Sequence, residues 1–135
     1  MNKEYILGID PGSSKTGVAL VDEKGEIYKV EVLLMTDFSA ALKNFLGSTE
    51  PKQCVIGNGT TSTTMQETLK STFPSLYINV IDEAYSTEEA RKLYWEQNPP
   101  KGLRKLFPIG MQTPPINLDG YAAAVLVKRF LLSNN

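Results

Sequence analysis

The chain has 135 residues, 41% of them hydrophobic, and a formal net charge of −1, so we expect a single domain over residues 1–135 with a buried core. It contains no histidine, which excludes a Ser-His-Asp triad, a Cys-His pair and a histidine-ligated metal site. Cys54 is its only cysteine, which excludes an internal disulfide. Because the sequence shows neither a leader-like segment nor a membrane-spanning apolar run, we expect a cytoplasmic protein without a membrane partner.

The first third of the chain predicts three short strands joined by tight turns. Residues 4–10, 17–22 and 26–34 are apolar or alternate between apolar and polar side chains, and glycine-containing turns separate them. Strands joined this closely form an antiparallel meander.

The rest of the chain alternates helices with strands. Thr36 can cap a first helix, and Ser86 with Glu89 has the form of a capping box for a helix that ends at about Gln97. The other predicted elements are a strand at 53–57, a helix at 60–72, a strand at 76–82 and a last helix from about 117 to 132. A meander followed by two strand–helix crossovers predicts a mixed five-stranded α/β sheet, in the order 3-2-1-4-5, with helices on both faces.

Asp10 lies where the first apolar strand ends, in the segment GIDPGSSKTG. A carboxylate at the end of a buried strand needs a physical reason. One interpretation is an Asx-turn ahead of Pro11 and Gly12, which is a common use of aspartate. The other is a metal ligand, with Lys15 and the amides of the turn placed to meet phosphate.

A second glycine-rich turn, IGNGTTS, leaves the fourth strand and enters a helix whose first turn is rich in hydroxyls. Such a helix start can receive an anion, so Asn58 and Thr60 are candidates for contact with phosphate. Glycines and threonines also make ordinary turns and caps, and the motif alone leaves that alternative open.

Two further acids complete a candidate site. Glu83 follows the fifth strand, and the order 3-2-1-4-5 places it at the same sheet edge as Asp10 and Asn58, whereas alternation turns Asp82 away. Asp119 is the only acid in the last helix, where it can also simply complement the helix dipole. Carboxylates without histidine suit Mg²⁺ or Mn²⁺, which polarise a phosphoryl oxygen and activate water without a protein base.

Basic residues are concentrated in the C-terminal part of the chain. Residues 1–84 contain seven Lys and Arg against eleven Asp and Glu, a net −4, whereas residues 85–135 contain seven against four, a net +3. The segment 98–115 holds five of the eight prolines together with Arg104 and Lys105. We predict that these two side chains grip a nucleic-acid backbone; the alternative is a mobile surface segment.

Four segments together resemble the YqgF (RuvX) family of RNase H-like nucleases, which includes a related domain of Tex-type RNA-binding proteins. They are GIDPGSSKTGVAL, IGNGTTS, DEAYSTEEA and LDGYAAAVLVKRFL, and they extend over nearly the whole chain. The resemblance implies an RNase H-like fold and a nuclease whose metal-binding acids are Asp10, Glu83 and Asp119. It also implies structured nucleic acid as substrate, either precursor ribosomal RNA or a branched DNA junction, and it leaves monomer and homodimer open.

Some positions depart from the family pattern. Ala84 and Lys15 stand where the family commonly has arginine, and lysine does not reproduce a bidentate arginine contact. Asn58 and Ala122 stand nearest to two further acids of RuvC-type resolvases. A second hypothesis is therefore a catalytically weak or inactive nucleic-acid-binding module. A third is an actin-like phosphotransferase, suggested by DPGSS, although such enzymes enclose ATP between two RNase H-like halves and this chain supplies one.

Overall fold

The computed structural model describes residues 4–99 and 118–133. Its strands are β1 (Tyr5–Asp10), β2 (Lys15–Asp22), β3 (Ile27–Leu34), β4 (Gln53–Gly57) and β5 (Tyr77–Ile81), and its helices are α1 (Phe38–Leu46), α2 (Ser62–Thr72), α3 (Ser86–Gln97) and α4 (Asp119–Ser133). Every predicted element is present, with small differences at the ends. No helix in the described ranges is long and apolar enough to cross a membrane.

The five strands form one sheet in the order β3-β2-β1-β4-β5, which confirms the predicted order. β2 pairs antiparallel with both β1 and β3, so the meander is also confirmed. β4 pairs parallel with β1 and with β5. The carboxyl ends of β1, β4 and β5 therefore lie side by side at one edge of the sheet, where ligands bind in open α/β folds.

Helices cover both faces of the sheet. Alternation along β1 directs Leu7 and Ile9 into a core shared with α1 and α2, whereas Ile6 joins a second core under α3 and α4. Both faces of β1 are buried, as expected for the central strand. Each fully buried Leu or Ile side chain stabilises the fold by roughly 1.5–3 kcal/mol.

Small residues let α4 pack unusually close to the sheet. Ala122, Ala123 and Ala124 are at most 2% exposed. A Cβ at Gly8 would lie 2.5 Å from the carbonyl oxygen of Ala123, and a Cβ at Gly17 would overlap the carbonyl group of Asp119. The first turn of α4 is thereby placed directly over the start of β2, beside the end of β1.

Two predicted helix caps are wrong. α1 follows Asp37 in the left-handed conformation (φ 58°), with no side-chain cap from Thr36. α3 follows Tyr85, also left-handed (φ 62°), so Ser86 is the first helical residue and is buried. Since Tyr85 occupies the N-cap position, the Ser86 hydroxyl lies one residue inside the helix and makes no cap hydrogen bond. The Glu89 side chain pairs instead with an arginine of α4.

Candidate active site

Asp10 is the last residue of β1, on the face of the sheet that α4 covers. It pairs with Gly17 of β2. Burial, a side-chain hydrogen bond with Glu83, and the negative charges of Glu83 and Asp119 raise the pKa of Asp10 to about 7. Desolvation and nearby like charges both favour the protonated acid. The carboxyl of Asp10 thus faces two other acids, an arrangement that an Asx-turn does not require.

Glu83 reaches Asp10 across the end of an intervening strand. β4 lies between β1 and β5, so the side chain must span part of a gap of two strand spacings, about 10 Å. A Cβ at Gly57 would lie 2.6 Å from Glu83 Oε2, and a Cβ at Gly59 would overlap Oε1. The two glycines therefore leave the space that the Glu83 carboxylate occupies.

Asn58, between these glycines, positions the backbone of Glu83. Its side-chain oxygen Oδ1 accepts a hydrogen bond from the Glu83 amide at 3.3 Å. Asn58 and Thr60 are both exposed at this edge of the sheet, so contact with phosphate stays a prediction for both. The sequence did not reveal that Gly57 and Gly59 make room for the Glu83 carboxylate, which we call their clearance role. That role depends on a side chain that follows the next strand, so the turn alone gives no sign of it.

Asp119 begins α4, and its place depends on the close approach to Gly17 described above. Its carboxylate oxygen Oδ2 lies 4.0 Å from Lys15 Nζ, and the two side chains are 37% and 47% exposed. An ion pair this exposed contributes little to stability. Lys15, predicted to contact phosphate, is thus placed beside an acid of the site.

Arg129 of α4 is a residue that the sequence interpretation did not select. Its Nη1 donates to the carbonyl oxygen of Asp82 at 2.8 Å, and its Nη2 donates to that of Ala84 at 2.6 Å. The same guanidinium pairs with the Glu89 carboxylate at 3.0 Å. No local pattern connects a C-terminal helix to the β5–α3 turn, so only the tertiary structure reveals the contact.

The structure brings Asp10 and Glu83 together, whereas Asp119 acts on Asp10 through its charge. Within residues 4–99 and 118–133, no three acidic or cysteine side chains form a closed group around a metal position. Burial raises the pKa of the Cys54 thiol, which removes the chain's one thiol as a nucleophile. Arg104 and Lys105 lie outside the described residues, so their predicted role stays a prediction.

A model of the RuvX family, described as Holliday junction resolvase, matches residues 4–133. The fowlpox virus resolvase, solved with its substrate Holliday junction DNA, is 14% identical with a TM-score of 0.63, over 96% of this chain and 98% of that one. RuvC of Thermus thermophilus is 12% identical with a TM-score of 0.54, over 96% of this chain and 94% of that one. No curated protein sequence is significantly similar to the chain.

At these identities the two solved structures show a shared fold, and they confirm the predicted RNase H-like architecture. The family match covers all four motifs noted in the sequence, from the first strand to the last helix. The protein therefore belongs to the RuvX family of Holliday junction resolvases.

Proposed function

We propose that this protein is a divalent-metal-dependent endonuclease that hydrolyses phosphodiester bonds in structured nucleic acid, with a four-way DNA junction as substrate. The observation that carries the proposal is the contact between Asp10 and Glu83 at the strand ends, within range of the Asp119 charge. Membership of the RuvX family supports a junction as substrate. Precursor ribosomal RNA is the alternative substrate, because RNA presents the same phosphate groups.

The chemistry of the acids fits Mg²⁺ or Mn²⁺. All the donors are carboxylate oxygens, which these hard cations prefer. Asp10 keeps a proton near neutral pH because burial and two neighbouring acids disfavour its charge. Asp10 and Glu83, with Asp119, would hold the cation, and it would supply charge neutralisation, polarisation of the scissile phosphate and activation of a water molecule.

The residues of the chain itself bind and orient the substrate in this proposal. Asp10 would release its proton to solvent, which would leave the carboxylates of Asp10 and Glu83 facing one position at the strand ends. Lys15 is half exposed beside Asp119, so its ammonium can donate to a phosphate oxygen of the bound strand. Asn58 and Thr60 are exposed at the same sheet edge and extend the surface on which the backbone lies.

A second candidate function is a nucleic-acid-binding module with weak or no catalysis. Two observations favour it: the described acids form no closed group of three, and Lys15 lies against Asp119. In such a protein the nucleic acid binds equally well with and without divalent cations.

The direct test is cleavage of four-way DNA junctions and of structured RNA in Mg²⁺ or Mn²⁺. We expect Asp10→Asn to lower the cleavage rate by roughly 100-fold or more, because metal-ion catalysis supplies several kcal/mol. Glu88→Gln, which removes an exposed carboxylate from α3, is the matched control and should cleave like wild type. Equal cleavage by wild type and Asp10→Asn would reject the proposal, and binding without cleavage would favour the inactive module.

A further inference from the structure

We propose that Arg129 is a positioning residue that holds the turn carrying Glu83 and ties it to the helix that carries Asp119. The inference rests on the proposed function for its catalytic consequence, and on contacts within the described residues for its structural part. In this proposal α4 has a second role besides carrying Asp119: it holds the turn that carries Glu83.

The turn after β5 is not fixed by burial. Asp82, Ala84 and Tyr85 are all exposed, and Glu83 between them is only partly buried. Tyr85 also adopts the left-handed conformation (φ 62°), which is uncommon for a bulky aromatic residue. A segment with so little buried surface must be ordered by hydrogen bonds if its acid is to keep one position.

Arg129 supplies two of those hydrogen bonds, one on each side of Glu83. Its guanidinium donates to the carbonyl oxygens of Asp82 at 2.8 Å and of Ala84 at 2.6 Å. On the opposite side of the turn, the amide of Glu83 donates to Asn58 Oδ1 at 3.3 Å. The peptide between Asp82 and Glu83 is thus hydrogen-bonded at both its carbonyl oxygen and its amide, which point in opposite directions, and the carbonyl oxygen of Ala84 is held as well.

The guanidinium group is suited to this arrangement. It offers five N–H donors in a rigid plane, so it can bind two carbonyl oxygens and one carboxylate at once, which a lysine ammonium cannot match in the same geometry. Glu89 is the carboxylate: its Oε2 accepts from Arg129 Nε at 3.2 Å, and its Oε1 lies 3.0 Å from Nη2. The Arg129 side chain is 21% exposed but that of Glu89 is 50% exposed, so the ion pair itself contributes little. The two hydrogen bonds to the carbonyl oxygens of the turn therefore carry the positioning role.

The position of Arg129 in α4 connects two acids of the site. Asp119 lies about ten residues, or ~15 Å, before Arg129 along the same helix. The first turn of α4 contacts Gly17 beside Asp10, and its middle contacts Gly8. One helix therefore sets the place of Asp119 at one end and, through Arg129, the place of Glu83 at the other.

The experiment compares wild type with Arg129→Gln, Arg129→Lys and a matched control, Arg91→Gln. Arg91 is an exposed residue of α3, and its loss removes the same positive charge, so it corrects for a weaker attraction to a polyanion. The readouts are amide hydrogen exchange of residues 82–86 in the metal-free protein, Mn²⁺ affinity by calorimetry, and kcat and KM for four-way junction cleavage.

For Arg129→Gln we expect faster exchange in residues 82–86 only, with β1 and the start of α4 unchanged. We also expect Mn²⁺ affinity and kcat to fall roughly 10- to 100-fold, the usual effect of losing a group that orients a metal ligand. KM should change no more than it does in Arg91→Gln. Arg129→Lys should recover part of the loss, because it keeps one donor near the carbonyl oxygens.

Three results would overturn the inference. The first is that Arg129→Gln matches Arg91→Gln in every readout. The second is that amide hydrogen exchange in Arg129→Gln rises throughout the protein and not only in residues 82–86. The third is that exchange in residues 82–86 rises while kcat and Mn²⁺ affinity stay at wild-type values. If wild type neither cleaves a junction nor binds Mn²⁺, the proposed function is wrong, and hydrogen exchange in the metal-free protein still decides whether Arg129 holds the turn.

Discussion

Asp10 titrates near neutral pH because burial and the negative charges of Glu83 and Asp119 disfavour its own charge. In the folded protein without metal, Asp10 and Glu83 share a hydrogen bond that needs one proton. In the proposed metal centre a divalent cation would replace that proton, so metal affinity would depend on pH. The acids of the proposed metal centre therefore lower the stability of the metal-free fold at neutral pH.

This cost predicts how stability depends on pH. The folded-state pKa of about 7 lies above the ordinary value of 3.8, so the folded protein binds the Asp10 proton more tightly than the unfolded chain does. Stability contributed by that proton is complete below about pH 4 and is lost as pH rises through about 7. Asp10→Asn removes the charge and should therefore stabilise the metal-free protein at high pH only.

We expect Asp10→Asn to raise the free energy of unfolding by roughly 1–3 kcal/mol at about pH 8, after allowance for solvent screening of a partly exposed group. At about pH 4 the two proteins should be equally stable. Urea unfolding without metal measures both values, with Glu23→Gln, an exposed carboxylate in the β2–β3 turn, as control. A variant that gains no stability at high pH would show that Asp10 is not crowded by other acids.

At the scale of secondary structure, glycines determine how close the elements that carry the acids can come. Gly17 admits the backbone of Asp119, and Gly57 and Gly59 admit the side chain of Glu83. The two kinds of contact differ physically, because a helix backbone cannot yield whereas a carboxylate on a flexible side chain can turn away. Substitutions at these glycines should therefore separate stability from function.

We expect Gly59→Ala to fold with nearly wild-type stability but to bind Mn²⁺ roughly 10- to 100-fold more weakly, because its Cβ displaces the Glu83 carboxylate. Gly17→Ala should instead lower the free energy of unfolding by about 1–3 kcal/mol, the usual cost of overpacking. Urea unfolding and calorimetry on both variants check the contrast. Wild-type Mn²⁺ affinity in Gly59→Ala would contradict the clearance role of this glycine.

At the scale of the whole molecule, the sheet order follows from patterns that a sequence displays directly. A meander of three strands and two crossovers leaves few arrangements, and the continuous apolar runs of β1 and β4 mark these strands as buried on both faces. The shared sheet edge of Asp10, Asn58 and Glu83 follows from that order and is present in the structure. The fold and the acidic edge could therefore be predicted.

The contacts that hold the acids at this sheet edge could not be predicted, because each joins residues far apart in the chain. Arg129 meets Asp82 and Ala84 only after α4 has packed across the sheet. Ser86 and Glu89 fit a local capping box, yet tertiary contacts take Glu89 to Arg129 and bury Ser86. Local propensity was overridden by packing at this point.

The most direct test of the proposed metal centre is calorimetry of Mn²⁺ binding near neutral pH to wild type and Asp10→Asn. We expect saturable binding to wild type with release of protons, since Asp10 must lose the proton that it holds with a pKa of about 7. Asp10→Asn should bind Mn²⁺ roughly 10- to 100-fold more weakly than wild type and should release fewer protons on binding. Equal affinity in the two proteins, or no binding to wild type, would contradict a metal centre built on Asp10.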